Sequence, residues 1–354
     1  MKKLASIIGA RPQFVKAAVF NMAVDHSADF EEVVIHTGQH FDENMSQLFF
    51  DQLGMRIPKY NLNIHSLAHE EMTEIMHQQI ADILRTEQPD MVVVFGDTDS
   101  TLAGSRAAHA CRIPLCHIEA GLRSFNMAMR EEHNRMETDK LSDILCCPTE
   151  VAVQNLSKEG ISPEHIFLTG DIMKDAAVHY KPLTKPPAVD IPEPFILCTL
   201  HRAENTDRPE VLRQLLHALE EISRHHAVIL PLHPRTRQAL YAQNYPFAQS
   251  SIHFIEPVGY LEMQYLLHHC QLVMTDSGGL QKEAYFAHKH CLTLREETEW
   301  TELVSRGYNH LVGHQVNDIV TTTLKMISIP ADFMDDLYGD GHSAQHILEA
   351  IKGW

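Results

Sequence analysis

Thr275-Asp276-Ser277-Gly278-Gly279-Leu280-Gln281-Lys282-Glu283-Ala284 is the stretch whose reading decides the fold. Directly before it, Gln271-Leu272-Val273-Met274 has the short apolar character of a buried strand, so strand passes straight into helix. Asp276 and Ser277 are residue types that cap helices. Gly278 and Gly279 let the backbone approach an anion closely, and the first-turn N–H groups, unpaired within the helix and at its positive dipole end, supply donors. This pattern predicts a phosphate-binding turn or a plain capped helix, and the surrounding sequence distinguishes the two.

Working outward, apolar runs at 195–200, 228–232, 252–255, 272–275 and 291–294 alternate with helical patterns. The same rhythm precedes them, with runs at 4–8, 32–36, 91–95, 115–118, 144–147 and 166–169 and helices such as 71–84 in the gaps. A proline-dense stretch, Lys181-Pro182-Leu183-Thr184-Lys185-Pro186-Pro187, separates the two series. Strand–helix alternation on both sides predicts an α/β chain of two Rossmann-like domains with parallel sheets. In such sheets ligands bind beyond the carboxyl ends of the strands, and in a two-domain chain the interdomain cleft is the expected active site.

The 354 residues suffice for two domains with their own cores, and 44% apolar residues is ordinary for a globular chain. With 29 basic against 47 acidic side chains the formal charge is −18, which opposes a nucleic-acid backbone or an anionic membrane as partner. A small anionic ligand stays compatible, because a few local arginines and helix ends outweigh the distant field. The seven cysteines are odd in number and form no CxxC pair, so buried thiols in a reducing cytosol are expected. No run approaches the roughly 18 apolar residues of a membrane span, and Met1 to Gly9 reads as a first strand rather than a targeting segment, so the expected location is cytoplasmic. The 25 histidines show no HExxH or zinc-type spacing, so no metal is expected.

Polar residues crowd almost every strand end, yet no GxGxxG follows the first strand and no GxxxxGK[ST] occurs. Nicotinamide chemistry and P-loop phosphoryl transfer therefore lose support, and no cofactor is expected. The charged groups themselves must carry the chemistry. In chain order they read G-x-R-P-x-x-x-K at 9–16, G-D-T at 96–98, H-I-E-A-G-L-R at 117–123, E-E-x-N-R at 131–135, H-R-x-E-N at 201–205, D-S-G-G-x-Q-x-E-A at 276–284 and R-x-x-T-E at 295–299.

This ordered set resembles the non-hydrolysing UDP-N-acetylglucosamine 2-epimerases nearly end to end. The resemblance implies a glycosyltransferase-B-like fold, with an N-terminal domain of 1–170 plus 336–354, including a returning last helix, and a UDP-binding domain of 171–335. It implies a homodimer acting on a UDP-sugar: UDP leaves C1 as C2 is deprotonated, giving a 2-acetamidoglucal, and adds back after reprotonation on the other face. Asp97, Glu119 and Glu131 become the acid/base candidates, their individual roles open, with His201 beside the diphosphate. Glu119 has an alternative reading as an ion-pair partner of Arg123, four residues on. By the same resemblance Arg11, His233, Ser277, Gly278, Gly279 and Arg295 face UDP, Glu299 the ribose, and Lys16 and Arg135 complete the site's charge. Gln39 and His40 fall where some bacterial members bind a second, activating UDP-sugar.

Departures from the commoner motifs bear on the sugar. Ala10 and Gln13 stand in the first motif, Trp300 follows Glu299, the loop after Arg123 is short, and Arg130 precedes the paired glutamates. These variants look like the branch acting on UDP-2,3-diacetamido-2,3-dideoxy-glucuronate, for surface polysaccharide synthesis, with UDP-N-acetylglucosamine the alternative substrate. Arg130 is then either a partner for the sugar carboxylate or a surface residue, and a neutral Gln13 would suit an anionic sugar. A retaining UDP-sugar glycosyltransferase and a catalytically inactive UDP-sugar sensor are the readings from other classes.

Overall fold

In the computed structural model the described residues are 1–39, 52–330, 332–333 and 336–354; His40 and the side chain of Arg11 lie outside the description. The chain divides into two compact units, Met1–His179 with Asp336–Trp354, and Tyr180–Asp335.

The first unit is built on β1 (Lys2–Ile8), β2 (Phe30–His36), β3 (Tyr60–Asn61), β4 (Met91–Phe95), β5 (Leu115–Ile118), β6 (Ile144–Cys147) and β7 (Ile166–Leu168). They form one parallel sheet in the order β3-β2-β1-β4-β5-β6-β7. Helices cover a parallel sheet on both faces, which is why β4 is apolar throughout and every residue of it is buried. Helix His69–Glu87 buries Met72, Met76, Ile80 and Leu84 from one face, at the spacing that lines up successive turns, and ends at Gln88 in a left-handed conformation. The last helix, Ser343–Gly353, buries Ile347, Leu348 and Ile351. Its first N–H groups are held by Asp175, whose carboxylate accepts from Ser343 N at 3.0 Å and Ala344 N at 2.7 Å.

The second unit repeats the plan with β8 (Phe195–Thr199), β9 (Ala227–Pro231), β10 (His253–Ile255), β11 (Leu272–Thr275), β12 (Cys291–Thr293) and β13 (Asn309–Leu311), in the parallel order β10-β9-β8-β11-β12-β13. Each sheet changes winding direction beside its first strand, between β1 and β4 and between β8 and β11, which opens a crevice at the carboxyl edge of each. The eleven expected apolar runs all become strands, whereas β3 and β13 were not anticipated: Tyr60-Asn61 and Asn309-His310-Leu311 are short edge segments with no apolar run. All seven cysteines are free thiols, and all but Cys111 are buried. No helix among the described residues is long and apolar enough to cross a membrane.

Candidate active site

At the carboxyl edge of the first sheet the chain turns sharply after β4 and β5. Glu119 adopts φ +74°, a left-handed conformation rare and costly for a glutamate, and Gly121 follows at φ +79°. The backbone is held there because the N–H groups of Glu119 and Ala120 both donate to the Cys146 carbonyl, at 3.1 and 3.0 Å. That twist aims the carboxylate at Lys16, whose Nζ lies 2.6 Å from Oε1 with both side chains nearly buried. The Gly96-Asp97 turn abuts this pair: a Cβ at Gly96 would stand 3.2 Å from Lys16 Nζ and 3.4 Å from Glu119 Oε1.

Asp97 is fixed from the helix Arg130–Leu141. Arg135 donates through Nη2 to Asp97 Oδ2 at 2.6 Å and through Nη1 to Glu132 Oε2 at 3.0 Å, and Asn134 Nδ2 donates to the Asp97 carbonyl at 2.9 Å. Glu132 is buried, and its carboxylate also accepts from Ser124 N, Ser124 Oγ and Phe125 N at 2.9 to 3.0 Å, pinning the loop before the helix. Glu131 is half-buried in the first turn of the same helix.

Beneath this edge, His117 is fully buried, with Nδ1 2.7 Å from Asp139 Oδ1 and Nε2 2.7 Å from the Gly96 carbonyl. Arg123 reaches Asp139 Oδ2 at 2.7 Å and Glu159 Oε1 at 2.7 Å. Burial pushes the Asp139 carboxyl up, but His117 and Arg123 outweigh it and hold the group below the usual carboxylate range.

In the second unit the site gathers around buried Asp276. Its carboxylate accepts from His201 N at 3.0 Å, Arg202 N at 3.0 Å and Asn205 Nδ2 at 3.1 Å, tying the end of β8 to the end of β11. The His201 and His233 rings lie 5.3 Å apart, and His233 caps the helix Pro234–Ala242 through Nδ1. Ser277 caps the helix Gly278–Phe286, so the backbone N–H groups of Gly278 and Gly279 open that helix. Glu299 packs against Gly278, where a Cβ would overlap Oε1 and displace that carboxylate. Arg295 is almost fully buried; Nη1 donates to Glu299 Oε2 at 3.1 Å, while Nε and Nη2 are buried with no hydrogen-bond partner among the described residues. Orphaned buried guanidinium donors are suited to an anion, since leaving a charged donor unpaired in the interior is costly.

A model of a family described as UDP-N-acetylglucosamine 2-epimerase matches residues 22–352. The chain belongs to that family. A UDP-2,3-diacetamido-2,3-dideoxy-D-glucuronate 2-epimerase from Pseudomonas aeruginosa is 48% identical across 99% of both chains. A UDP-N-acetylglucosamine 2-epimerase from Escherichia coli is 32% identical across 99% of this chain and 98% of its own. Among solved structures, the UDP-GlcNAc 2-epimerase of Methanocaldococcus jannaschii in complex with UDP-GlcNAc and UDP matches with a TM-score of 0.93 at 37% identity, covering 99% of this chain and all of that one.

Within this epimerase-family chain, several expectations about individual residues change. Glu119 pairs with Lys16, and Arg123 turns instead to Asp139 and Glu159, so the four-residue spacing does not produce an ion pair. Gln13 is buried and spends both ends of its amide inside the protein: Oε1 accepts from Gly9 N and Ala10 N, and Nε2 donates to the Phe95 carbonyl and Thr101 Oγ1. It staples β1 to β4 and has no donor left for a sugar. Arg130 donates to Asp99 Oδ1 at 2.6 Å and to Thr73 Oγ1 at 3.3 Å, a partly exposed side chain engaged with its own unit. Gln39 accepts from Ser100 N and Oγ, at 3.0 and 2.6 Å. The organising carboxylates Glu132, Asp139 and Asp276 escaped the list of candidates, although each lies in or beside a quoted motif; nothing local marks a buried acid as a hub.

Proposed function

We propose that this protein inverts C2 of a UDP-activated 2-acetamido sugar. A base removes the C2 proton while the C1–O bond breaks with its electron pair on departing UDP, leaving a 2-acetamidoglucal. UDP then adds back at C1 as an acid delivers a proton to the opposite face of C2. Asp97, Glu119 and Glu131 are the acid/base groups, since two carboxylates that follow strands of one sheet, each braced by a buried cation, and a third in the first turn of the helix that carries Arg135 can take and return a proton. His201, His233, Arg295, Ser277, Gly278 and Gly279 receive the diphosphate and Glu299 the ribose, with Arg11 a further UDP contact by resemblance alone. The observation that carries this reading is Arg295: among the described residues its Nε and Nη2 are buried without hydrogen-bond partners, while Nη1 holds Glu299, whose carboxylate packs against the Gly278 that opens a helix. The protein works as a cytoplasmic homodimer, and the Gln39 region with His40 takes a second UDP-sugar.

The 48% identity to the Pseudomonas aeruginosa enzyme supports UDP-2,3-diacetamido-2,3-dideoxy-glucuronate as substrate. UDP-N-acetylglucosamine is the second reading, favoured by the engagement of Arg130 with Asp99, which removes the residue offered as a partner for the sugar carboxylate. Incubation with each UDP-sugar in D2O, followed by proton NMR of H-2, tests both. Solvent deuterium should replace H-2, with slow release of UDP and a glycal; retention of the original hydrogen in the epimer rules the mechanism out, and the faster sugar decides the substrate.

A further inference from the structure

Trp300 has no part in the roles above, yet it is buried immediately after Glu299. Its indole Nε1–H donates to the Gly278 carbonyl at 3.0 Å. One turn further along the same helix, the Lys282 ammonium stands 4.1 Å from the centroid of the indole ring. Lys282 is only 1% exposed, and out of water the attraction of its ammonium for the face of an indole is strengthened. A single side chain thus grips the helix Gly278–Phe286 at its first residue and again four residues on.

The neighbours of Trp300 tighten the same join. Thr298 Oγ1 accepts from Trp300 N at 3.2 Å and donates at 2.8 Å to Gln281 Oε1, while Gln281 Nε2 donates to the Ser277 carbonyl at 3.1 Å. Between Thr298 and Trp300 sits Glu299, whose carboxylate fills the space left by the missing Cβ of Gly278. The segment 298–300 is therefore joined to residues 278–282 through both neighbours of Glu299.

We propose that Trp300 and Lys282 are the positioning pair of the nucleotide site, holding Glu299 and the opening turn of the helix Gly278–Phe286 in one register so that ribose and diphosphate are bound together. The inference rests on the reading that the second unit takes UDP. Because the pair is engaged with the nucleotide end rather than with C2, its loss weakens substrate and transition state alike: KM and the UDP dissociation constant rise together while kcat holds.

The chain has two tryptophans, so Trp354→Phe leaves Trp300 as sole reporter. In that background, titration with UDP should shift Trp300 emission saturably, along the same curve that calorimetry gives for binding. Lys282→Met should weaken UDP binding by about 10- to 30-fold and raise KM to match, with kcat within about threefold of the parent. Lys282→Arg, which keeps a cation able to stack on indole, should restore most of the affinity. Trp300→Phe, in the otherwise unaltered chain, retains a ring but loses the Gly278 bond and should lie between; it also supplies the answer if Lys282→Met does not fold. Parent-like UDP affinity in Trp300→Phe and in folded Lys282→Met overturns the pair alone. A parent protein that binds no UDP overturns the reading of the second unit, and the pair with it.

Discussion

Lys16→Met leaves the Glu119 carboxylate without its ammonium in a place where both side chains are nearly buried, 7% and 10% exposed. With Nζ 2.6 Å from Oε1, charge centres some 3–4 Å apart attract by about 4–5 kcal/mol at an effective dielectric of ~20. Removing one partner of a buried pair generally costs about 3–5 kcal/mol, because the survivor is left uncompensated. For a unit of this size that corresponds to a fall in melting temperature on the order of 10 °C. Lys16→Met/Glu119→Gln removes both charges at nearly constant volume and should recover most of the loss. Activity should not return, because Glu119 is one of the proposed acid/base groups. Scanning calorimetry on the parent, the two single variants and the double variant closes the cycle. The reasoning fails if Lys16→Met melts within a degree or two of the parent, or if the double variant melts as low as the single one.

Asp97→Asn, Glu119→Gln and Glu131→Gln keep side-chain volume but remove a titrating group, so each should lower turnover at least ~100-fold with UDP affinity by calorimetry within a few fold; normal turnover makes these acids scaffolding. Gly278→Ala need only push aside the flexible end of Glu299, so it should fold normally and bind UDP roughly tenfold less well. Gly121→Ala places a Cβ against the Ala152 backbone carbonyl at φ +79°, so its loss should appear in urea melts as at least ~1–3 kcal/mol of stability. Burial lifts the Glu32 carboxyl from 4.5 to about 7 against hydrogen bonds from Ser6 and Asn21. The folded protein thus keeps a proton that the unfolded chain releases, and stability falls as pH rises from 4.5 through about 7, by roughly 3 kcal/mol in all. Glu32→Gln should flatten that decline in urea midpoints compared between about pH 5 and pH 8; an unchanged slope would exclude Glu32 as its source.

Apart from the edge strands β3 and β13, the described strands of both sheets were legible in the chain because burial on two faces is a local demand. Met91-Val92-Val93-Val94-Phe95 and Leu272-Val273-Met274 announce themselves by composition, and the connection lengths between such runs leave little but parallel pairing. Motif residues at the strand ends were legible for the same reason: a parallel sheet puts every strand's carboxyl end on one edge. Which side chains meet there was not. By helical spacing Arg123 is the natural partner of Glu119, but residues 119–123 form no helix, and the left-handed backbone at Glu119 and Gly121 sends the two side chains apart. Glu119 finds Lys16, 103 residues away, and Arg123 finds Asp139 and Glu159. The same holds for Trp300, which in sequence is only an aromatic residue after a glutamate. A residue's burial pattern is set by its neighbours in the chain, whereas the partner of a buried charge is set by whichever distant element the fold brings within about 3 Å, and that requires the whole packed structure.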